Sequence, residues 1–269
     1  MLNSPQTTSQ SGIIGPLFYM TSQAAMNRPG KDSIYATQLE KVDSFVFDHR
    51  VAEVFPDMIK RSVPGYPTVI AMTGVLAAEY VQPNSRVYDL GCSLGASSLA
   101  AQEGITAPGC EIHAIDNSRE MLDQAQQRLS SESARTPVQF ICENVLDSEI
   151  SNASMVILNF TLQFIETTQR LALLKKIRSG LRPGGILILS EKIAFTDSTE
   201  ESLQIDMHHA FKRANGYNDL EISQKRTALE NVLIPETLEQ HFQRLENAGF
   251  SRADLWFQCF NFVSLIARV

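Results

Sequence analysis

Apolar residues in the first third of the chain recur at two different spacings. Between residues 48 and 62 they are spaced as on one face of a helix, and a second apolar helix is predicted at 66–81. After Pro83 the pattern changes to a short apolar run, residues 86–90, which ends at Gly91. A run of this kind is typical of a buried strand that enters a tight turn. We therefore expect two helices followed by the first strand of a sheet.

Further short apolar runs alternate with helical patterns along the chain. They predict strands at 111–115, 138–142, 155–159 and 186–189, and helices from near Leu94, at 118–129 and at 168–181. Such alternation is typical of a parallel sheet with helices on both faces. The last two runs, 253–260 and 262–269, are close enough to pair as an antiparallel hairpin. The predicted fold class is α/β: a methyltransferase-type, Rossmann-like doubly wound sheet, mostly parallel, with a C-terminal antiparallel hairpin.

Two segments depart from this alternation. Residues 1–30 begin with a stretch rich in Ser, Thr and Gln, which predicts a flexible N-terminal extension. Residues from about 198 to 233 carry polar helical patterns with a turn near Asn215-Gly216, which predicts an inserted helical lid. An amphipathic helix is expected at 235–248. We expect residues 31–269 to form a single domain that includes this lid.

Composition narrows the class of protein. The chain is 43% hydrophobic and 20% charged, which is ordinary for a globular protein. Its net charge of -7 gives no overall positive potential that would favour binding of nucleic acid. The N-terminus lacks the pattern of a signal peptide or membrane helix, and the four cysteines form no CxxC pair and have no His at zinc-ligand spacing. We expect a cytoplasmic protein without a bound metal, direct nucleic-acid contact or membrane contact.

A glycine turn follows the first predicted strand. The sequence Asp-Leu-Gly-Cys-Ser-Leu-Gly at 89–95 lies where a strand passes into a helix, a position where small residues let the backbone approach a ligand. Such a loop is a weak signal alone. Asp116 ends the next strand, 25 residues after Gly91, close to the offset of about 20 at which a carboxylate meets ribose hydroxyls. Asp116 could instead cap the following helix, and both roles hold if Ser118 is the actual cap.

Three classes of protein use a turn of this kind. A nicotinamide dehydrogenase would need glycine where this chain has Ser93 and Ala96. An α/β-hydrolase would use Ser93 as its nucleophile, but its candidate bases, His208, His209 and His241, fall in polar helical stretches. An S-adenosylmethionine-binding fold accounts for the turn, the acidic residue and a second turn at 181–185 before a strand.

Two further polar positions fit the S-adenosylmethionine interpretation. Asn144-Val145 follows the third strand, where such folds hold the adenine. Asn159 ends the fourth strand, above the expected cofactor position, although an isolated Asn there is more often a loop-capping amide.

Longer segments resemble the carboxy-S-adenosyl-L-methionine synthase family. They are residues 50–59, 61–66, 87–95, 152–156, 158–164, 211–217, 221–226 and 255–262. The resemblance runs from about Asp32 to the C-terminus and excludes the extension. It departs from the family pattern at Asn144-Val145, where Asp-Ile is expected. An Asn still offers a carbonyl oxygen to the adenine amine.

The resemblance implies an activity. A member of this family converts S-adenosyl-L-methionine and prephenate to carboxy-S-adenosyl-L-methionine and phenylpyruvate, and a second enzyme transfers the carboxymethyl group to a tRNA wobble uridine. It also implies a homodimer that handles only small molecules, with a functional link to that tRNA uridine carboxymethyltransferase. The catalytic residues are left unassigned; in the scheme that we propose, the departing groups of prephenate would provide the base, so that no protein base is obligatory.

The resemblance also implies a set of cofactor and product contacts. They are Tyr66, Gly91, Cys92, Ser93, Asp116, Asn117, Asn144, Val145, Asn159 and Arg226. Arg226 distinguishes this family, because a guanidinium offers bidentate hydrogen bonds to the new carboxylate. Without the resemblance, Arg226 would be a solvated arginine beside Lys225 on the lid. An ordinary small-molecule methyltransferase and a non-catalytic S-adenosylmethionine-binding regulator remain alternatives.

Overall fold

A computed structural model of the chain describes residues 30–129 and 136–269. The predicted extension lies outside the described residues, apart from Gly30. In the described part, none of the helices combines the length and apolar character needed to cross a membrane.

Helices and strands alternate through most of the chain. The helices are α1 (His49–Ser62), α2 (Tyr66–Tyr80), α3 (Ala96–Gly104), α4 (Arg119–Leu129), α5 (Thr167–Gly180), α6 (Ser198–Ala214), α7 (Asp219–Leu229) and α8 (Leu238–Asn247), with a short 3-10 helix at Leu162–Phe164. The strands are β1 (Arg86–Leu90), β2 (Glu111–Asp116), β3 (Val138–Cys142), β4 (Ala153–Asn159), β5 (Leu181–Ala194), β6 (Glu236–Thr237), β7 (Arg252–Cys259) and β8 (Phe262–Arg268).

The strands form one sheet in the order β3-β2-β1-β4-β5-β8-β7, with β6 paired to the end of β5. The strands from β3 to β5 pair in parallel, whereas β8 runs antiparallel to both β5 and β7. This arrangement confirms the predicted α/β class and its C-terminal hairpin. The order of strands reverses between β1 and β4, and ligands of such sheets bind at the carboxyl ends of the strands beside this reversal.

Side chains of the central strands are buried on both faces of the sheet. In β4, Val156 and Leu158 belong to a cluster with α5 and α8, whereas Met155 and Ile157 belong to a cluster with α2 and α3. Alternate residues of a strand point to opposite faces, so both clusters require apolar residues at successive positions. This explains why these strands were predicted from continuous apolar runs.

The strand β5 begins earlier than the sequence predicted. The sequence placed a turn at 181–185 and a strand from Ile186, but Leu181 already pairs with Ala153. The register then shifts, and Ile186 pairs with Met155. Residues 182–185 therefore form a bulge within the strand, in which Gly184 adopts a φ of 77°.

The segment that precedes α1 lies against the predicted lid. We call residues 30–47 the N-terminal strap. Gln224 of α7 donates from its amide to the carbonyl oxygens of Tyr35 and Thr37, both at 2.9 Å, and accepts from the N–H of Leu39 at 2.7 Å. A single glutamine side chain thus joins the strap to α7.

A buried polar cluster strengthens the same contact. Asp32 of the strap accepts a hydrogen bond from the hydroxyl of Tyr217 and forms an ion pair with Lys225 at 3.5 Å. Arg61 of α1 donates to the backbone oxygen of Asp32 at 3.1 Å and stacks on the Tyr217 ring, 3.7 Å from its centroid. Asp32 compensates for the desolvation of Lys225, and Asp57 does so for Arg61, with which it forms an ion pair at 3.0 Å.

Close packing of α2 on α3 provides a test of the fold. A Cβ atom at Gly104 would lie 2.8 Å from the carbonyl carbon of Gly74. We expect Gly104→Ala to lower the free energy of unfolding by about 1 to 3 kcal/mol, because backbone cannot move aside as a side chain can. Urea denaturation measures this change. Gly30→Ala is the control, because its Cβ would lie 3.5 Å from Val54 Cγ1, which is an ordinary contact. Equal stability of the two variants would show that α2 and α3 do not pack too closely for a side chain at Gly104.

Candidate functional site

A cavity of about 680 Å³ lies where the parallel strands end and the lid helices begin. This volume suits a small-molecule ligand. The ten residues selected from the sequence all line it: Tyr66, Gly91, Cys92, Ser93, Asp116, Asn117, Asn144, Val145, Asn159 and Arg226. The fold thus brings together side chains from the ends of four strands, from α2 and from α7.

The turn after β1 is tied to the end of β2. The backbone N–H groups of Gly91 and Cys92 both donate to the carbonyl oxygen of Ile115, at 2.8 and 2.9 Å. Gly91 has a φ of 76°, and a Cβ atom there would lie 2.6 Å from Cγ2 of Thr161. Glycine is therefore required at this position both by backbone conformation and by the approach of Thr161.

Ser93 is held by contacts that leave no role as a nucleophile. Its φ is 51°, its N–H donates to Oδ2 of Asp116 at 2.8 Å, and its hydroxyl donates to the sulfur of Met121 at 3.5 Å. Among the described residues, no histidine is hydrogen-bonded to Ser93, and the imidazole of His208 lies 2.8 Å from the carbonyl oxygen of Ser62. The hydrolase interpretation therefore lacks its general base.

Asp116 links the turn to the helix that follows β2. Its Oδ1 accepts from the N–H of Ser118 at 2.9 Å, while Ser118 uses its own hydroxyl to accept from the N–H of Met121 at 3.3 Å. Ser118 is thus the residue that caps α4. Burial raises the pKa of Asp116, and hydrogen bonds from the backbone of Ser118, Ser93 and Asn117 oppose this effect. A carboxylate has about four acceptor sites, so an acceptor site remains for a ligand hydroxyl in the cavity beside these three N–H groups.

The side chain of Asn144 is only partly available to a ligand. Its Oδ1 accepts from the N–H of Leu146 at 2.9 Å, which closes a local turn. The sequence analysis assigned this oxygen to an adenine amine, so one of its two lone pairs is already used. Val145 beside it is buried and contributes apolar surface to the cavity.

Asn159 belongs to a hydrogen-bond network across the sheet. Its amide nitrogen donates to the hydroxyl of Ser97 at 3.0 Å, and its oxygen accepts from the hydroxyl of Ser190 at 2.6 Å. Ser190 also bonds Ser264 at 2.8 Å. A loop-capping role, the alternative considered for an isolated Asn, is therefore not what the structure shows. The network fixes the orientation of the Asn159 amide at the cavity wall.

Tyr66 opens α2 at the edge of an aromatic group. The residue before it, Gly65, has a φ of 75°, which allows the chain to turn into the helix. The Tyr66 ring lies 6.1 Å from that of Phe160, which in turn lies 6.1 Å from that of Phe262. Burial, and secondarily Asp89, raise the pKa of the Tyr66 hydroxyl, so it is neutral at physiological pH.

Positive side chains gather where the lid meets the cavity. We define the cationic cluster as Lys192 of β5, Lys212 of α6 and Arg226 of α7, all of which line the cavity. Arg226 is exposed and makes no hydrogen bond or ion pair with any described residue, whereas its neighbour Lys225 is buried and paired with Asp32. The guanidinium of Arg226 is therefore free to bind a ligand.

The sequence analysis did not identify Lys192, Lys212, His208 or His209 as cavity residues. A signal was present in α6, because Glu201, Ile205, His208 and Lys212 recur at helical spacing and all line the cavity. These four positions include charged and apolar residues, so the sequence does not show them as one apolar face of the helix. No group of three or more His, Cys, Asp or Glu within residues 30–129 and 136–269 is arranged to hold a metal ion.

Asp116 offers a direct test of the cavity as an S-adenosylmethionine site. We expect Asp116→Ala to weaken binding by about 1.5 to 3 kcal/mol for each charge-assisted hydrogen bond lost to the ribose. Isothermal titration calorimetry measures this change. The control is Asp123→Ala, which removes an exposed carboxylate from α4. Unchanged affinity of the Asp116 variant would show that the carboxylate only supports the turn.

Comparisons with known proteins agree with this geometry. A methyltransferase domain model matches residues 87–185. Human N-acetylserotonin methyltransferase, solved with SAM, aligns with a TM-score of 0.54 and 17% identity over 82% of this chain and 55% of that one. A SAM-dependent methyltransferase of Leishmania major aligns with a TM-score of 0.55 and 11% identity over 82% of this chain and 77% of that one. This chain thus spans less than two thirds of the human enzyme. At identities of 17% and 11%, the similarity to these two structures shows the fold alone.

Sequence relatives are far closer. A carboxy-S-adenosyl-L-methionine synthase of Trichlorobacter lovleyi is 59% identical over 237 residues, which cover 88% of this chain and 97% of that protein. A carboxy-S-adenosyl-L-methionine synthase of Yersinia pestis is 54% identical over 89% of this chain and 90% of that protein. The aligned portion includes the cavity and the lid, and the chain belongs to the carboxy-S-adenosyl-L-methionine synthase family.

Proposed function

We propose that this enzyme converts S-adenosyl-L-methionine and prephenate to carboxy-S-adenosyl-L-methionine, with release of phenylpyruvate and water. The observation that carries the proposal is the cationic cluster beside the glycine turn, in which Arg226 and Lys212 have no anionic partner among the described residues. A cavity that accepts a dianionic substrate and forms a carboxylated product needs such charges. Simple transfer of a methyl group does not.

The proposed reaction balances without an added oxidant or reductant. Prephenate loses its ring carboxylate as carbon dioxide and its ring hydroxyl as hydroxide, and the ring becomes aromatic. The hydroxide takes one proton from the sulfonium methyl group and leaves as water. The methyl carbon then bonds to the carbon dioxide. This scheme requires no protein base.

The described residues fit S-adenosylmethionine as one substrate. Asp116 keeps an acceptor site for a ribose hydroxyl, Gly91 leaves the turn without a side chain, and Tyr66 contributes an aromatic ring to the cavity wall. The lid keeps carbon dioxide near the methyl carbon, because escape of the gas competes with its capture.

The proposal extends to the use of the product. We propose that the carboxymethyl group passes to a tRNA uridine carboxymethyltransferase, that the reaction takes place in the cytoplasm and that the enzyme acts as a homodimer. A net charge of -7 is consistent with a protein that handles the small molecules and leaves the tRNA to its partner. An ordinary methyltransferase remains the second candidate, because it would share the glycine turn and Asp116.

Incubation with both substrates tests the activity directly. We expect purified enzyme to form carboxy-S-adenosyl-L-methionine and phenylpyruvate in equal amounts when S-adenosylmethionine and prephenate are both present. Mass spectrometry of the small molecules measures both products. S-adenosylhomocysteine as the sole product, with other acceptors supplied, would instead support the ordinary methyltransferase.

Arg226 separates the two candidates by affinity. Because Arg226 is exposed, we expect Arg226→Ala to weaken carboxy-S-adenosyl-L-methionine by about 1 to 2 kcal/mol, less than the loss expected for a buried pair. Unmodified S-adenosylmethionine should be affected far less, and Arg226→Lys should restore part of the loss, because an ammonium keeps the charge without two parallel donors.

Calorimetry with both ligands at one ionic strength measures this difference. Arg213→Ala is the matched control, since Arg213 is an exposed lid arginine that pairs with Asp219 and does not line the cavity. Equal weakening of both ligands by Arg226→Ala would show that Arg226 supports the lid and does not bind the carboxylate.

A further inference from the structure

We infer that Lys212 and Lys192 form a second carboxylate subsite, which binds the keto-acid end of the substrate that donates carbon dioxide. This inference deepens the function proposed above and rests on it. The subsite is distinct from Arg226, which faces the carboxylate formed in the reaction. It assigns to the lid helix α6 a role in recognising the second substrate.

The first observation is that the charge on Lys212 lacks a counterion. Lys212 is 8% exposed, and its ammonium makes no hydrogen bond or ion pair with any residue that the structure describes. Its Nζ is not one of the described side-chain atoms that are fully buried without a partner, so the ammonium faces the cavity. A largely desolvated charge is costly, and proteins usually pair or neutralise it. Lys225, the other buried lysine of the lid, shows the usual solution, because it pairs with Asp32 and donates to the hydroxyl of Ser62 at 3.0 Å.

The second observation is that the groups around Lys212 add positive charge. Lys225, Lys192 and Arg226 all lie close enough to oppose protonation of Lys212, and Lys212 in turn opposes protonation of His208 and His209. The backbone N–H of Tyr217 donates to the Lys212 carbonyl and leaves the ammonium unaffected. Several groups of one sign that converge on a cavity create a potential that favours an anion.

The acidic residues of the cavity do not neutralise Lys212. Glu201 of α6 lies close enough to Lys192 to favour its protonated form, but Oε2 of Glu201 accepts a hydrogen bond from the N–H of Phe195 at 2.8 Å. The other carboxylates that line the cavity are Asp116, Glu166 and Glu230, and none of the four stabilises the ammonium of Lys212. The positive charge is therefore local to Lys212 and its neighbours, where it suits a carboxylate of the ligand.

The chemistry of the substrate assigns the two positions. Prephenate carries one carboxylate that leaves as carbon dioxide and one, on the keto-acid side chain, that remains in phenylpyruvate. The leaving carboxylate must end at the sulfonium methyl carbon, and the exposed guanidinium of Arg226 is available to bind it there. The retained carboxylate has a fixed position through the reaction, which suits the buried ammonium of Lys212 and the neighbouring Lys192.

Such a subsite has a pH dependence with a definite sign. Burial, and then the charges of Lys225, Lys192 and Arg226, lower the pKa of Lys212 to about 7. A bound carboxylate favours the ammonium, so binding is strongest below this pKa and weakens as pH rises above it. Burial lowers the pKa values of His208 and His209 below the ordinary 6.5, so both are neutral in that range. Burial also lowers the pKa of Lys192 and lowers that of Lys225 to about 8, while Glu201 and Arg226 are the other charged groups on the lid side of the cavity.

Lys212→Met tests the inference, because methionine keeps the length of the side chain and removes its charge. We expect the KM for prephenate and the inhibition constant of phenylpyruvate each to rise at least about tenfold, the effect of one lost charge-assisted hydrogen bond. The dissociation constant of S-adenosylmethionine, measured without prephenate, should stay unchanged. In the wild type, the KM for prephenate should rise above about pH 7, and in the variant this rise should be absent.

Two controls separate folding from recognition. Lys175→Met removes an exposed lysine of α5 outside the cavity and should change no constant. Urea denaturation should show that Lys212→Met is at least as stable as the wild type, because the variant removes an unpaired buried charge.

The outcomes distinguish this inference from the proposed function. A wild-type enzyme that forms no carboxylated product from prephenate would refute the function itself. An active wild type together with an unchanged KM for prephenate in Lys212→Met would refute the subsite alone. Equal weakening of S-adenosylmethionine by Lys212→Met would also overturn the inference, because the subsite would then hold the methionine carboxylate of that substrate.

Discussion

The carboxylate of Asp116 is the interaction on which the cavity depends. By accepting from the backbone of Ser93 and of Ser118, it joins the turn after β1 to the start of α4. The turn cannot shift independently, since the N–H groups of Gly91 and Cys92 also donate to the carbonyl oxygen of Ile115, and Thr161 leaves no room for a side chain at Gly91. The floor of the site is therefore rigid before any ligand arrives, which lowers the entropic cost of binding.

The two buried lysines of the lid differ in whether they have a counterion. Lys225 is compensated by Asp32 and holds α7 against the N-terminal strap, whereas Lys212 on α6 keeps its charge unmatched within the described residues. Compensated charges stabilise a fold, and uncompensated ones lower stability while increasing affinity for an anion. The lid thus combines one helix fixed by its counterion with one helix whose charge is satisfied by substrate.

Local sequence patterns predicted the strands well where burial is continuous. The residues of β1 were predicted correctly, because a short apolar run ends at a glycine whose backbone conformation requires it. The start of β5 was wrong, because pairing of Leu181 with Ala153 depends on a distant strand. Likewise, the buried Lys225 pairs with Asp32, which lies far away in sequence, whereas its neighbour Arg226 is exposed. Residue type alone does not distinguish two adjacent cations.

Contacts between the N-terminal strap and the lid form only after α7 has been synthesised. Gln224 binds Tyr35 and Thr37 across 189 and 187 residues, and Tyr217 reaches Asp32 across 185. Contacts of such sequence separation carry a large loop-closure cost and form late. The nascent chain can build β1, β2 and the glycine turn while the ribosome is still translating, but the roof closes only after α7 has emerged. A truncated product would therefore carry an open cofactor turn with no lid above it.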